Sequence, residues 1–232
     1  MKHSDYCRCG AIVDLNAIRH NLSELKRAAG NKKILSVMKA NAYGHGSCEA
    51  ANAINDMSDM FAVATIDEGV HLRVAGGITK PILVLGPTFT GEDDQVILYG
   101  LTETVFDFDR ARALNESVNE FVTDNLDKLK EMQYTSPDYK AHIHIAVDTG
   151  MSRIGLTPDE NGAEIIKKIS ELGNIVIDGI FTHFATADAS DKTYALEAYN
   201  KFRNFKKLCV ESGISIPIWH CANTASIIDG IG

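Results

Sequence analysis

The stretch VMKANAYGHG (37–46) ends an apolar run on Lys39 and follows it at once with Asn, Tyr, two Gly and a His. Period-two alternation places Leu35, Val37 and Lys39 on one face of a strand, so an interior filled by Leu35 and Val37 carries Lys39 up to its mouth. A lysine enclosed there beside another cation loses its proton more easily and becomes a neutral amine that can attack a carbonyl. The chemistry to expect is a Schiff base. Taken alone, Lys39 also fits a plainer reading, a side chain snorkelling to water at a strand end.

Three further stretches add polar groups. In VDTGMSRIGL (147–156), Arg153 projects from a glycine-containing loop and suits an oxyanion or a phenolate, unless it is only a solvated arginine. In THFATAD (182–188), His183 can act as acid, ligand or stacking partner, with a half-buried, satisfied histidine as the bland alternative. In WHCANTAS (219–226), Asn223, Thr224 and Ser226 open what reads as a helix, where hydroxyls and free N–H groups cradle a phosphate or simply cap the helix. An imine-forming lysine and a phosphate seat at one mouth together point to pyridoxal 5′-phosphate (PLP), the cofactor that uses both. His142 and His144 have no carboxylate or cysteine at metal spacing, so no metal site is expected. The five cysteines are odd in number, Cys7-x-Cys9 lacks a second pair, and all are read as free thiols.

These groups need a scaffold that brings strand ends together. Seven short apolar runs, at 34–40, 61–65, 81–86, 102–107, 142–148, 177–184 and 216–222, alternate with helical patterns. That alternation implies a parallel sheet, and without a GxGxxG after the first strand it favours a TIM-like (β/α)8 barrel over a doubly wound open sheet. Each polar stretch falls at the C-terminal end of a strand, where barrel active sites are built. Residues 1–232 are taken as one α/β barrel domain with seven barrel strands, ending at IIDGIG where an eighth is due. AIVDL (11–15) is expected as a short strand pairing outside the barrel, and 116–140 as an extra helix and a surface loop.

Composition narrows the function. A net charge of −8 works against non-specific nucleic-acid binding. No apolar run approaches the roughly 18 residues of a membrane span, and the start MKHSDYCRCG lacks a secretory signal, so no membrane partner is expected and the cytoplasm is the expected compartment.

VMKANAYGHG, ATIDEG, VDTGMSRIG, DGIFTHFATAD and HCANTAS, in this order, resemble the PLP-binding barrel domain of bacterial alanine racemases, from residue 11 to the end. The resemblance implies an isomerase interconverting L- and D-alanine by two-base proton exchange. Lys39 would be the Schiff-base lysine and one of the bases. Tyr43 would contact the cofactor phosphate, Arg153 the phenolic oxygen and the substrate carboxylate, and His183 would lie against the pyridine ring. Asn223 and Thr224 would hold the phosphate, and His220 would support an arginine on the eighth strand. That strand and the C-terminal β-domain, which sends the second catalytic base, a tyrosine, across a homodimer interface, are not in these residues. Ala146 stands where many members carry a modified lysine that fixes the arginine. A serine racemase of the same family and a non-catalytic single-domain PLP carrier are the alternatives. D-alanine made by the complete enzyme would feed peptidoglycan synthesis.

Overall fold

The computed structural model of the chain describes residues 10–89 and 91–232, which leaves Cys7 and Cys9 outside the described residues; Cys48, Cys209 and Cys221 are free thiols. Elements alternate along the chain: α1 (Leu15–Ala29), β1 (Leu35–Val37), α2 (Lys39–Tyr43), α3 (Ser47–Ile54), β2 (Met60–Val63), α4 (Ile66–Val74), β3 (Ile82–Val84), α5 (Asp93–Leu98), β4 (Leu101–Val105). They continue as α6 (Phe108–Glu131), β5 (Ala141–Ala146), α7 (Glu160–Ser170), β6 (Ile175–Phe181), α8 (Thr193–Glu211), β7 (Ile218–His220) and α9 (Thr224–Ile228). All seven expected strands form, each within or beside its apolar run.

They make one parallel sheet in sequence order, β1 to β7, a curled and partial TIM-like barrel. Alternate strand residues face the helices: Phe61, Val63, Ile82 and Val84 build one core cluster with α1, α3 and α4, and Ile143, Ile145 and Ile180 another with α6, α7 and α8. Helix α8 shows why it sits there, because Ala195, Ala198, Phe202, Phe205 and Cys209 recur on one stripe and are all buried. The intervening strand residues face the concave side. Beneath the outer layer, Arg110 on α6 ties Glu103 of β4, which is fully buried, to Asp93 of α5, so three elements share one guanidinium.

At His144 the β5–β6 register slips by one, pairing Ile143 with Ile177 but His144 with Gly179 and leaving Asp178 as the extra residue. The bulge turns Asp178 Oδ2 to His142 Nδ1 at 2.8 Å. It also sets a glycine under the His144 ring, where any Cβ would lie 2.7 Å from the imidazole.

Three expectations need correction. Residues 11–14 form no strand, and Leu15 is already helical because the Asp14 carboxylate caps α1 by accepting the N–H groups of Asn16 and Ala17. The 116–140 segment holds no separate helix: α6 runs unbroken from Phe108 to Glu131, and only the stretch after it is a loop. Leu35 and Val37 do not fill a closed interior, since β1 has β2 as its sole partner strand among the described residues and Val37 remains 41% exposed. Lys39 is accordingly half-buried, not enclosed. Among the described residues no helix is long and apolar enough to cross a membrane.

Candidate active site

Lys39 leaves β1 into a turn of unusual hand. Ala40, Asn41, Ala42 and Tyr43 all have positive φ, between 51° and 54°, so α2 is one left-handed helical turn made without glycine. L-residues resist this conformation by roughly 1–2 kcal/mol each, and it persists only where surrounding contacts over-determine it. Such contacts are present. Met38 N–H donates to Ala62 O at 2.7 Å, anchoring the entry to β2. Glu68 Oε1 accepts the Ala40 N–H at 2.7 Å, and Asn41 Oδ1 accepts the Ser47 N–H at 2.8 Å, capping α3. Gly44, itself left-handed at φ 86°, closes the exit through a bond to Asn41 O. Tyr43 emerges 70% exposed and lines an open cavity of about 410 Å³ with residues of the 11–18 segment.

The loop after β5 is equally constrained. Asp148 Oδ1 accepts the N–H groups of Gly150 and Ser152 at 2.9 and 3.0 Å, and Val147 forms a bridge with Leu156, so the loop leaves the sheet and returns to it. Tyr194 at the start of α8 donates its hydroxyl to Gly150 O at 2.5 Å. Beneath, the buried hydroxyls of Thr149 and Thr182 meet at 2.9 Å, joining the ends of β5 and β6. Arg153 stands exposed at the apex of this loop.

His183 follows β6 directly. Its pKa is drawn below the ordinary histidine value first by partial burial and then by the positive charges of Arg153 and Lys39. Lys39 and Arg153, each following a different strand, are thus near enough to His183 for their charges to act on it. An imidazole held neutral beside an amine and a guanidinium can stack or hydrogen-bond without adding charge.

At β7, His220 Nε2 lies 2.9 Å from His144 Nδ1, and the His220 ring stacks on Phe181 at 5.1 Å. Burial lowers the His144 pKa to about 4, and burial together with His144 lowers that of His220 to about 3, so the pair is neutral near pH 7. Asn223 is the N-cap of α9, its Oδ1 accepting the Ser226 N–H at 3.1 Å. Thr224 lines a cavity of about 690 Å³ with Ile228 and α1 residues, including Asn21, that does not take in Lys39, Arg153 or His183. Asn21 also borders the Tyr43 cavity. The Tyr43 and Thr224 hollows therefore adjoin at Asn21 of α1.

Sequence reasoning missed Glu68, Asp148, Tyr194 and the Thr149–Thr182 contact. Each works through backbone or buried hydroxyls, and only ATIDEG, with Glu68 three residues after Thr65, carried a local signal for one of them. The donor set suits PLP: an amine for its aldehyde, cations for its phenolate and a substrate carboxylate, and hydroxyls with leading N–H groups for its phosphate. Among the described residues no group of three or more His, Cys, Asp or Glu side chains is placed to hold a metal ion.

A parallel β/α sheet with an amine, a guanidinium and an imidazole on the segments that follow three of its strands defines a class, the β/α-barrel proteins whose sites are built at the C-terminal ends of the strands. The family is narrower: the model for "Alanine racemase, N-terminal domain" matches residues 13–231, and the chain belongs to that family. Alanine racemase of Methanococcus maripaludis is 42% identical over 221 residues, covering 94% of this chain and 55% of that protein. That of Clostridium perfringens is 39% identical, covering 94% and 53%. A solved alanine racemase of Clostridium difficile 630 in complex with cycloserine superposes with a TM-score of 0.81 at 35% identity, covering 93% of this chain and 55% of that one. The chain spans about half the length of the curated relatives it matches.

Proposed function

We propose that this chain is the PLP-binding barrel of an alanine racemase and that its Lys39 holds the cofactor. What supports the reading most is the family match over residues 13–231; beside it, the His183 pKa is lowered first by burial and then by the positive charges of Arg153 and Lys39, which reach it. Bound there, the cofactor supplies an electron sink for the charge left when alanine loses its α-proton. Lys39 Nζ then moves that proton on one face of the substrate. Arg153, on a loop fixed by Asp148 and Tyr194, takes the phenolic oxygen and orients the substrate carboxylate; with an alanine at position 146, those two side chains do the work of positioning it. His183 stays neutral against the ring. Tyr43, Asn223 and Thr224 meet the phosphate, the last through its hydroxyl and the leading N–H groups of the turn, while His220, backed by His144, supports an arginine of the eighth strand.

In the complete enzyme a tyrosine from a homodimer partner would act on the opposite face, in the cytoplasm, with the D-alanine directed to peptidoglycan. Alanine is the substrate assigned, since the relatives named above are alanine racemases. The test is solvent exchange. PLP-loaded protein in deuterated water should place deuterium at the α-carbon of L-alanine, with serine slower and Lys39→Ala inactive. Exchange that survives Lys39→Ala, or none in the loaded wild type, overturns the proposal.

A further inference from the structure

We propose that Glu68 is the positioning residue for Lys39, gripping the amide that follows the lysine and so fixing where its amine is presented. Thr65 is the N-cap of α4, its hydroxyl accepting the Glu68 N–H at 3.4 Å, and Glu68 stands three residues on. A glutamate at that place ordinarily folds back onto the N-cap's own N–H. Here it does not. Glu68 Oε2 accepts the Ala64 N–H at 2.7 Å and Oε1 accepts the Ala40 N–H at 2.7 Å.

Those two amides lie just beyond the ends of adjacent strands, whose ladder stops at Val37 and Ala62. The carboxylate continues the pairing of β1 with β2 where the backbone has already left strand geometry. Ala40 is the first of the four left-handed residues, so a strong acceptor on its N–H pins the peptide that joins Lys39 to the strained turn. Without it the exposed Ala40 N–H is left to water, and the turn can relax toward the right-handed region, swinging the lysine with it. The residue touches no reacting atom. Its effect runs through the main chain, and the functional half of the inference rests on Lys39 being the PLP lysine.

The experiment compares Glu68→Ala and Glu68→Gln with Thr65→Ala, which removes the α4 cap without touching Ala40. Two readouts are taken on each protein: hydrogen exchange of the Ala40 amide, and the rate at which added PLP becomes borohydride-reducible on Lys39. Exchange at Ala40 should quicken by about tenfold or more in Glu68→Ala, with Lys39 capture slowed. Glu68→Gln, which keeps one acceptor, should fall between. Thr65→Ala should lower the thermal midpoint yet leave both readouts near wild type. Unchanged Ala40 exchange in the Glu68 variants, or equal changes in Thr65→Ala, overturns the proposal. If Glu68→Ala does not fold, Glu68→Gln decides by the same readouts. Should wild-type protein take up no PLP, the assignment of Lys39 fails, while Ala40 exchange still decides whether Glu68 grips the turn.

Discussion

Gly150 illustrates how single residues hold this site. It has φ 137°, and a Cβ there would come 2.6 Å from the Tyr194 hydroxyl, which bonds its carbonyl. Gly150→Ala should therefore destabilise the protein by about 1–3 kcal/mol through backbone strain and clash, and Tyr194→Ala in the same chain should restore only the clash component. Urea unfolding of wild type and both variants measures this; a Gly150→Ala midpoint equal to wild type would mean the loop is free to move and Arg153 is not held by it. Residues of this kind are hard to read from sequence. Lys39, Arg153 and His183 stood out because an ionisable side chain after an apolar run has few structural excuses. Asp148, Glu68 and Tyr194 act on main-chain atoms whose positions only the fold creates.

Among the elements, strands were the easier to foresee. Each is a short run of β-branched and apolar residues bounded by polar turns, and all seven stack in order, because parallel neighbours joined through helices leave few other arrangements. The AIVDL run has the same look and fails as a strand because Asp14 caps the next helix and no strand lies alongside. The β5–β6 bulge had no sequence signature beyond Gly179, yet it creates the contact between His144 and His220 that links β5 to β7. This pair sets a pH response. Both histidines have folded pKa values below 6.5, at about 4 and about 3, so below pH 6.5 the unfolded chain binds protons that the folded chain refuses. Stability should fall on acidification from about pH 6 to 5, by up to about 1.4 kcal/mol per pH unit for each histidine. His142 acts in a different window: its hydrogen bond to Asp178 raises its pKa, so its contribution is present below 6.5 and lost as pH rises through the folded value. Denaturant titrations between pH 6 and 5 should show His144→Gln flattening the acid slope by about one proton. An unchanged slope would show that the His144 ring is not held neutral by burial.

For the whole molecule, the order of strands followed from alternation, whereas the enclosure of Lys39 did not. Enclosure depends on what lies against β1 on its other edge, and no local pattern in β1 encodes that. The interior face of β1 is consequently open, with Val37 partly in solvent, while α9 leans on α1 across the gap and lines the larger cavity. Lys39, Arg153 and His183 nonetheless each follow a strand end, and the charges of the first two reach the third. The claim on which the rest depends is that this amine captures the cofactor's aldehyde. Reduction of PLP-treated protein with borohydride, followed by peptide mapping, tests it directly: a single phosphopyridoxyl group on the peptide carrying Lys39 is predicted. Label spread over the surface lysines, with the Lys39 peptide unmodified, would contradict it.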